Sequence, residues 1–188
     1  MRIHTNFPFI SLLLMLSLAG CQSIGSGRSL SLRNPGFEEP AALSKIPGWL
    51  QSQHVGAPGE IAYEMAMDSG ATPESKQSLR VTRLINQIYG LVDQKVSVLP
   101  EDAGKILNFS ALLKTQNVGP EGWLLVVNMN SAFSIIEQAK SLPVTGTSDW
   151  HRVSLRTLIP SGTVNVSAGF LLLDAGSGWA DDATLLVE

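Results

Sequence analysis

Residues 164–172 read Val-Asn-Val-Ser-Ala-Gly-Phe-Leu-Leu. Val164, Val166, Ala168, Phe170 and Leu172 occupy alternate positions, opposed by Asn165 and Ser167. A period of two marks a strand with one face in a core. The rhythm recurs along the chain. Ile61, Tyr63, Met65 and Met67 oppose Glu60, Glu64 and Asp68. Leu107, Phe109, Ala111 and Leu113 oppose Asn108, Ser110 and Lys114. Val153, Leu155, Thr157 and Ile159 oppose Ser154 and Arg156. Shorter candidates cover 79–81, 91–98 and 123–130, and a last strand covers 179–187. Turn residues punctuate them at 57–59, 68–70, 119–122, 160–162 and 176–178. Strands at this spacing predict an all-β sandwich or barrel, not alternating β-α units. Only 131–141 could be helical, and a surface turn fits it equally well. Parity sends Leu171 and Leu173 outward, an apolar stripe on an outer face.

Composition bounds the function. The 188 residues are 44% hydrophobic and 15% charged, which suits one folded domain and excludes a disordered chain. A net charge of −3 offers no basic surplus for nucleic acid. One cysteine excludes a disulfide framework and a Cys-rich zinc site. There is no Gly-x-Ser-x-Gly elbow, and His54 and His151 form no metal-spaced pair. The sequence reads as non-catalytic.

The N-terminus reads as an address. Arg2 and His4 precede a mostly apolar run, 7–18, with the length of a signal-peptide core. It ends in Leu18-Ala19-Gly20-Cys21. This tetrapeptide resembles the lipobox of bacterial lipoproteins. The resemblance implies cleavage before Cys21, acylation of that cysteine and attachment to a membrane. Gln22 after the cysteine, rather than Asp, implies the outer membrane and a periplasmic location. The expected organisation is a signal peptide at 1–20, a lipidated Cys21 with a Gly/Ser tether at 21–29, and a β-sandwich at 30–188.

Three further stretches resemble the galactose-binding-like jelly roll of carbohydrate-binding modules. They are Asn34-Pro35-Gly36-Phe37-Glu38 with Pro47-Gly48-Trp49, then Gln77 to Val81 with Val92 to Val96, then Gly178 to Leu185. Lys76-Gln77 departs from the small residue usual before Ser-Leu. Segments 113–118, 143–155 and 169–185 also look like an accessory β-domain found beside helix-turn-helix regulators and some tail-specific-type proteases. Neither partner domain's activity transfers.

The jelly-roll resemblance implies a structural calcium held by Glu38 and Asp181. Asp181 shares parity with Ala183, Leu185 and Val187, which points it inward. An inward carboxylate needs either a cation or N–H donors. Asp182 and Glu39 have the opposite parity and read as solvated. The adjacent pairs Glu38-Glu39 and Asp181-Asp182 imitate a glycosidase pair, but the resemblance places them at a structural corner. The apolar faces of sugars stack on aromatic rings. Trp49, Tyr89 and Trp123 near predicted loops, with the amides of Gln94 and Asn128, are therefore the candidate ligand-binding residues. Gln94 alternates with Val92 and Val96 and could equally serve the core. Trp150 and Trp179 sit inside the motifs and read as core. The expected function is a membrane-anchored, non-catalytic lipoprotein that binds carbohydrate in the cell envelope. The alternative is an envelope scaffold that binds protein and no sugar.

Overall fold

The computed structural model describes residues 27–41, 45–72 and 75–188. The apolar run 7–18, Cys21 and residues 22–26 lie outside the described residues. The strands are β1 (Arg28–Ser29), β2 (Leu50–Gln53), β3 (Tyr63–Thr72), β4 (Ser75–Arg83) and β5 (Gly90–Ser97). Then follow β6 (Ile106–Asn130), β7 (Ile135–Lys140), β8 (Val144–Leu158), β9 (Asn165–Leu172) and β10 (Ser177–Val187). A 3-10 turn at Pro100–Asp102 links β5 to β6. Every pairing is antiparallel.

The pairings make two layers, a jelly-roll β-sandwich. One layer runs β3-β4-β10-β6-β8, and the other runs β2-β5-β9-β6-β7. Strand β6 belongs to both. Its residues 107–116 pair with β10, and its residues 123–130 pair with β9. Between them the strand folds over, with Asn117 (φ 53°) and Gly122 (φ 81°) in the left-handed region. Gly122 has a second reason to lack a side chain, since a Cβ there would lie 2.3 Å from Pro143. The turn expected at 119–122 is thus a bend inside one ribbon. Strand β8 stays paired around it, through Val118↔Gly146 and Trp123↔Val144.

The bend gives the sandwich two ends. Residues 119–122, Gly146 and 174–177 lie at the far end. Ile106, Asn130, Leu158, Val164 and Val187 lie at the near end. The chain enters there too: Arg28 and Ser29, expected in the tether, pair with Val187 and Leu186.

Two local expectations change. Segment 135–140 is neither helix nor turn but strand β7, in register with β6 from Val126↔Lys140 to Asn130↔Ile135. The β-branched pair Ile135-Ile136 favours that outcome. Strand β3 does not stop at 68–70 but continues to Thr72, with an irregular register after Ser69. The alternating rows quoted from the sequence face inward as expected, except that Ile61 and Val164 are exposed beyond their strand ends.

The core closes on one ring. Phe170 of β9 meets Phe37 at 6.0 Å, Trp49 at 5.4 Å, Phe109 at 5.7 Å and Trp123 at 5.9 Å between centroids. Those partners come from the N-terminal loop and from both halves of β6, so the ring joins both layers. Gly178 of β10 makes room, because a Cβ there would lie 2.4 Å from the Trp123 ring. Phe170→Ala removes the shared partner. It is expected to cost about 3–5 kcal/mol and to lower Tm by on the order of 10 °C, read by thermal unfolding.

Candidate functional site

The outer face of the β2-β5-β9-β6-β7 layer is ordered in cross-strand rows. Leu91, Leu171 and Leu124 form the row toward the far end. Asp93, Gly169, Val126 and Lys140 form the next. Lys95, Ser167, Asn128 and Gln138 follow, and then Ser97, Asn165 and Asn130. The face therefore grades from apolar to amide and hydroxyl. Gly169 carries no side chain where β5 approaches closely, since a Cβ would lie 2.4 Å from the Val92 carbonyl oxygen.

A groove of about 260 Å³ opens over this gradient. Tyr89, Leu91, Val126, Leu171 and Leu173 give its apolar side, and Asn128, Gln138 and Lys140 its polar side. Leu124, Val126 and Leu171 form a small buried cluster apart from the main core, with Tyr89, Leu91 and Leu173 packed on it. The stripe expected at Leu171 and Leu173 is thus partly covered and partly groove wall. The Gln138 amide donates to Asn128 Oδ1 at 2.8 Å. That bond leaves a donor on Asn128 and an acceptor on Gln138 for a ligand. Tyr89 is half-buried, with the His54 ring against it edge-on at 6.3 Å.

A second recess of about 700 Å³ adjoins at the far end and shares Ile88 and Leu173. Its Arg83 and Asp174 side chains are spent on the fold. Asp174 accepts from the Ala175 and Glu121 backbone N–H groups and pairs with Arg83 at 3.0 Å. Those bonds hold its pKa below the ordinary carboxylate value.

The proposed calcium ligands do come together. Glu38 and Asp181 line one pocket of about 360 Å³ with Gly36, Ser75, Lys76, Leu112 and Asp182. Glu38 Oε1 accepts from Ser75 Oγ, Lys76 N and Gln77 N at 2.5, 2.8 and 3.2 Å, and these bonds lower its pKa. The donors at 76 and 77 are backbone N–H groups, which do not depend on the departure from a small residue there. Asp181 is 1% exposed, and its Oδ1 accepts the Asp182 N–H at 2.7 Å. Burial raises its pKa, and the Asp182 and Glu38 charges push the same way. The parity argument for Asp181 is corrected. A bulge after Asp181, with Asp182 at φ 47°, resets the alternation, so Asp181 stands opposite Leu112 and not in the row of Ala183. It is buried beside the N-terminal loop, whose Pro35 carbonyl accepts the Ala183 N–H at 3.0 Å. Asp182 is exposed and paired with Arg152, as expected of a solvated position.

Of the five candidate ligand residues, the groove unites Tyr89 and Asn128 alone. Trp49 is 6% exposed and Trp123 fully buried; both stack in the core. Their indole N–H groups donate to the Asn34 and Trp179 carbonyls. Gln94 is a backbone clamp, accepting from Arg33 N at 2.7 Å and donating to Arg33 O at 3.0 Å. Trp179 and Trp150 are not core. Inward Gly178 leaves Trp179 on the outer face of the other layer, where it donates to Asp68 at 2.7 Å beneath Lys114. Trp150 is half-exposed at a bulge opposite Lys114. The sequence reading missed Gln138 and Lys140. Their spacing of two after Ile135-Ile136 was the available signal.

Asp93 was missed as well. It is half-buried beside Gly169 on the groove's face, and its carboxylate accepts no hydrogen bond from the described residues. Burial raises its pKa, partly offset by Lys95. A raised carboxyl pKa means that the folded state holds its proton more tightly, so stability falls as pH rises through that pKa. Asp93→Asn is expected to match the wild type near pH 4, around the ordinary carboxyl pKa, and to be the more stable protein at neutral pH. Tm measured across that range checks the sign.

No family model and no curated sequence matches the chain. Solved structures do. One is the enzymatically active domain of tailspike protein 4 of bacteriophage CBA120, with TM-score 0.66 and 10% identity over 85% of this chain. The chain spans only 21% of that protein. Another is the Stig cyclase Fisc of Fischerella sp. TAU, solved with an indole compound, with TM-score 0.58, 14% identity, and 87% and 98% of the two chains covered. A third is TmCBM61 in complex with β-1,4-galactotriose, with TM-score 0.54, 16% identity, and 85% and 99% covered. At these identities the likeness is one of fold: the chain is a jelly-roll β-sandwich, an architecture that carbohydrate-binding modules share with enzymes.

Proposed function

We propose that the chain is a lipid-anchored module of the bacterial cell envelope that binds a glycan in the groove over β5, β9, β6 and β7. The observation that carries this reading is one groove holding an aromatic ring, an aliphatic floor and a pair of neighbouring amides. A pyranose ring has an apolar C–H face and a rim of hydroxyls. Tyr89 and Leu171 suit the face. Asn128 and Gln138 suit adjacent hydroxyls, each of which both donates and accepts. The galactotriose complex of TmCBM61 supports a sugar on this fold. Leu18-Ala19-Gly20-Cys21 supports the anchor, and Gln22 supports the outer membrane facing the periplasm.

Asp181 and Glu38 are proposed to hold a structural calcium, with oxygens of the surrounding loop completing its shell. Asp181 fits the role best, being buried against other carboxylates with only the Asp182 N–H and the Ser75 hydroxyl to oppose its charge. Glu38 already takes three donors on one oxygen, which leaves Oε2 for a cation. The exposed aliphatic Ile88 at the groove mouth favours a second reading, in which the same face docks an envelope protein.

A glycan panel that includes peptidoglycan fragments separates the readings. A ligand at 100 times its Kd stabilises by about 2.7 kcal/mol, roughly 5–10 °C for a domain of this size. Tyr89→Ala and Asn128→Ala are expected to weaken binding about tenfold or more, near 1.4 kcal/mol each, read against each variant's own ligand-free Tm. No shift with any glycan contradicts the sugar reading and leaves the protein-docking one. Calcium added after chelation is expected to raise Tm in the wild type and not in Asp181→Asn. The absence of any calcium shift would sink the metal site.

A further inference from the structure

The end of the sandwich from which the chain leaves toward Cys21 is rich in exposed apolar side chains. Pairing and hydrogen bonds place them together. Arg28 pairs with Val187, and the backbones of Ile106 and Glu188 bond to each other. Leu158 pairs with Ile106. Val98 N–H donates to Val164 O, and Val164 N–H donates to Asn130 O. Beyond Asn130 the β6–β7 hairpin turns through 131–134, closed by Ser131 N–H to Ser134 O at 2.9 Å. On this end Leu99, Phe133, Ile135, Leu158 and Val164 are all exposed, and Phe133 is 98% exposed at the hairpin tip.

Two features fit this surface to lipid. Ser131 Oγ accepts the N–H groups of Phe133 and Ser134 at 3.2 and 3.0 Å, so the tip presents its ring with those donors satisfied. Backbone groups entering an apolar medium need such partners. The nearby basic side chains have acidic partners: Arg28 and Lys105 share buried Asp102, whose turn also carries Glu101, and Arg156 pairs with Glu188. The surface is apolar rather than basic, so its attraction to a bilayer does not depend on anionic headgroups.

We propose that this end docks on the lipid bilayer, with Phe133 and Ile135 entering the interface and Leu99, Leu158 and Val164 resting against it. The proposal rests on the reading of Cys21 as the lipidated residue. Only six residue steps separate Cys21 from Gly27, a reach of at most about 22 Å, so the anchor keeps this end at the membrane. The acylated cysteine then supplies the attachment, and the apolar tip fixes the orientation. The groove opens on the side of the sandwich. The six-residue rise from Asn130 to Leu124 sets its apolar row about 20 Å further from the lipid.

The test supplies the tether chemically. Chain 21–188 is coupled through the Cys21 thiol to phosphatidylcholine vesicles doped with a maleimide lipid, so its result does not depend on acylation in cells. Phe133→Trp places a reporter at the tip, and Leu142→Trp places one at the far end, where Leu142 is 87% exposed. Brominated acyl chains are expected to quench the tip reporter several-fold more than the far one, equally in about 0.1 M and about 0.5 M salt. Changing Ile135 and Leu99 to Ser should at least halve that quenching. Equal quenching at the two positions, or none at the tip, overturns the proposal. So does concentration-dependent dimerisation of the uncoupled chain that Phe133→Ser abolishes, which would make a second copy the occupant. Labelling of cells with a palmitate analogue reads the anchor separately. Failure to label Cys21 overturns the anchor and docking in cells, even where the vesicle result holds.

Discussion

The two layers meet at the ring of Phe170, and much else follows from that packing. Four aromatic side chains from the N-terminal loop and from both halves of β6 converge on it. Because β6 folds from one layer into the other, the ring ties together the two ends of one strand as well as two layers. The cluster also decides which aromatics are available for recognition. Trp49 and Trp123 are consumed by it, and their indole N–H groups are consumed by loop and strand carbonyls. What remains for the groove is Tyr89. The candidate site is accordingly a narrow one, with one aromatic ring set over aliphatic side chains and an amide pair.

The inward amides serve the same end. Gln94 clamps Arg33, and Gln53 Oε1 accepts from both Ala62 N and Tyr63 N. Asn34 bridges Pro47 and Glu39. These side chains satisfy backbone groups where loops cross the open edge of the sandwich, groups that would otherwise be buried without partners. An amide at an inward strand position looks the same in sequence whether it binds a ligand or a loop, and Gln94 shows why parity alone cannot choose.

The all-β fold was legible because its central strands alternate in sequence, as 107–113 and 164–170 do. Parity failed where a bulge intervened. Asp181 is buried as expected, but by a register shift and a covering loop, not by belonging to the row of Ala183. Strand β7 was hidden because most of its side chains are exposed on both faces, which leaves no apolar rhythm to read. Its concealment cost the reading Gln138 and Lys140. The rest of the groove depends on which strands lie side by side: Tyr89, Val126, Gln138 and Leu171 are brought together only by the order β5-β9-β6-β7. Trp150 and Trp179 were misplaced because a motif position says where a residue sits along a strand, not which layer lies beneath it.

Glycan recognition at the proposed groove is tested most directly by an NMR titration of the isotope-labelled chain with the glycan that binds. Amide shifts are expected to concentrate at 89–91, 126–128, 138–140 and 171–173. Shifts centred instead on Trp179, Lys114 and Asp68, on the outer face of the other layer, would contradict it.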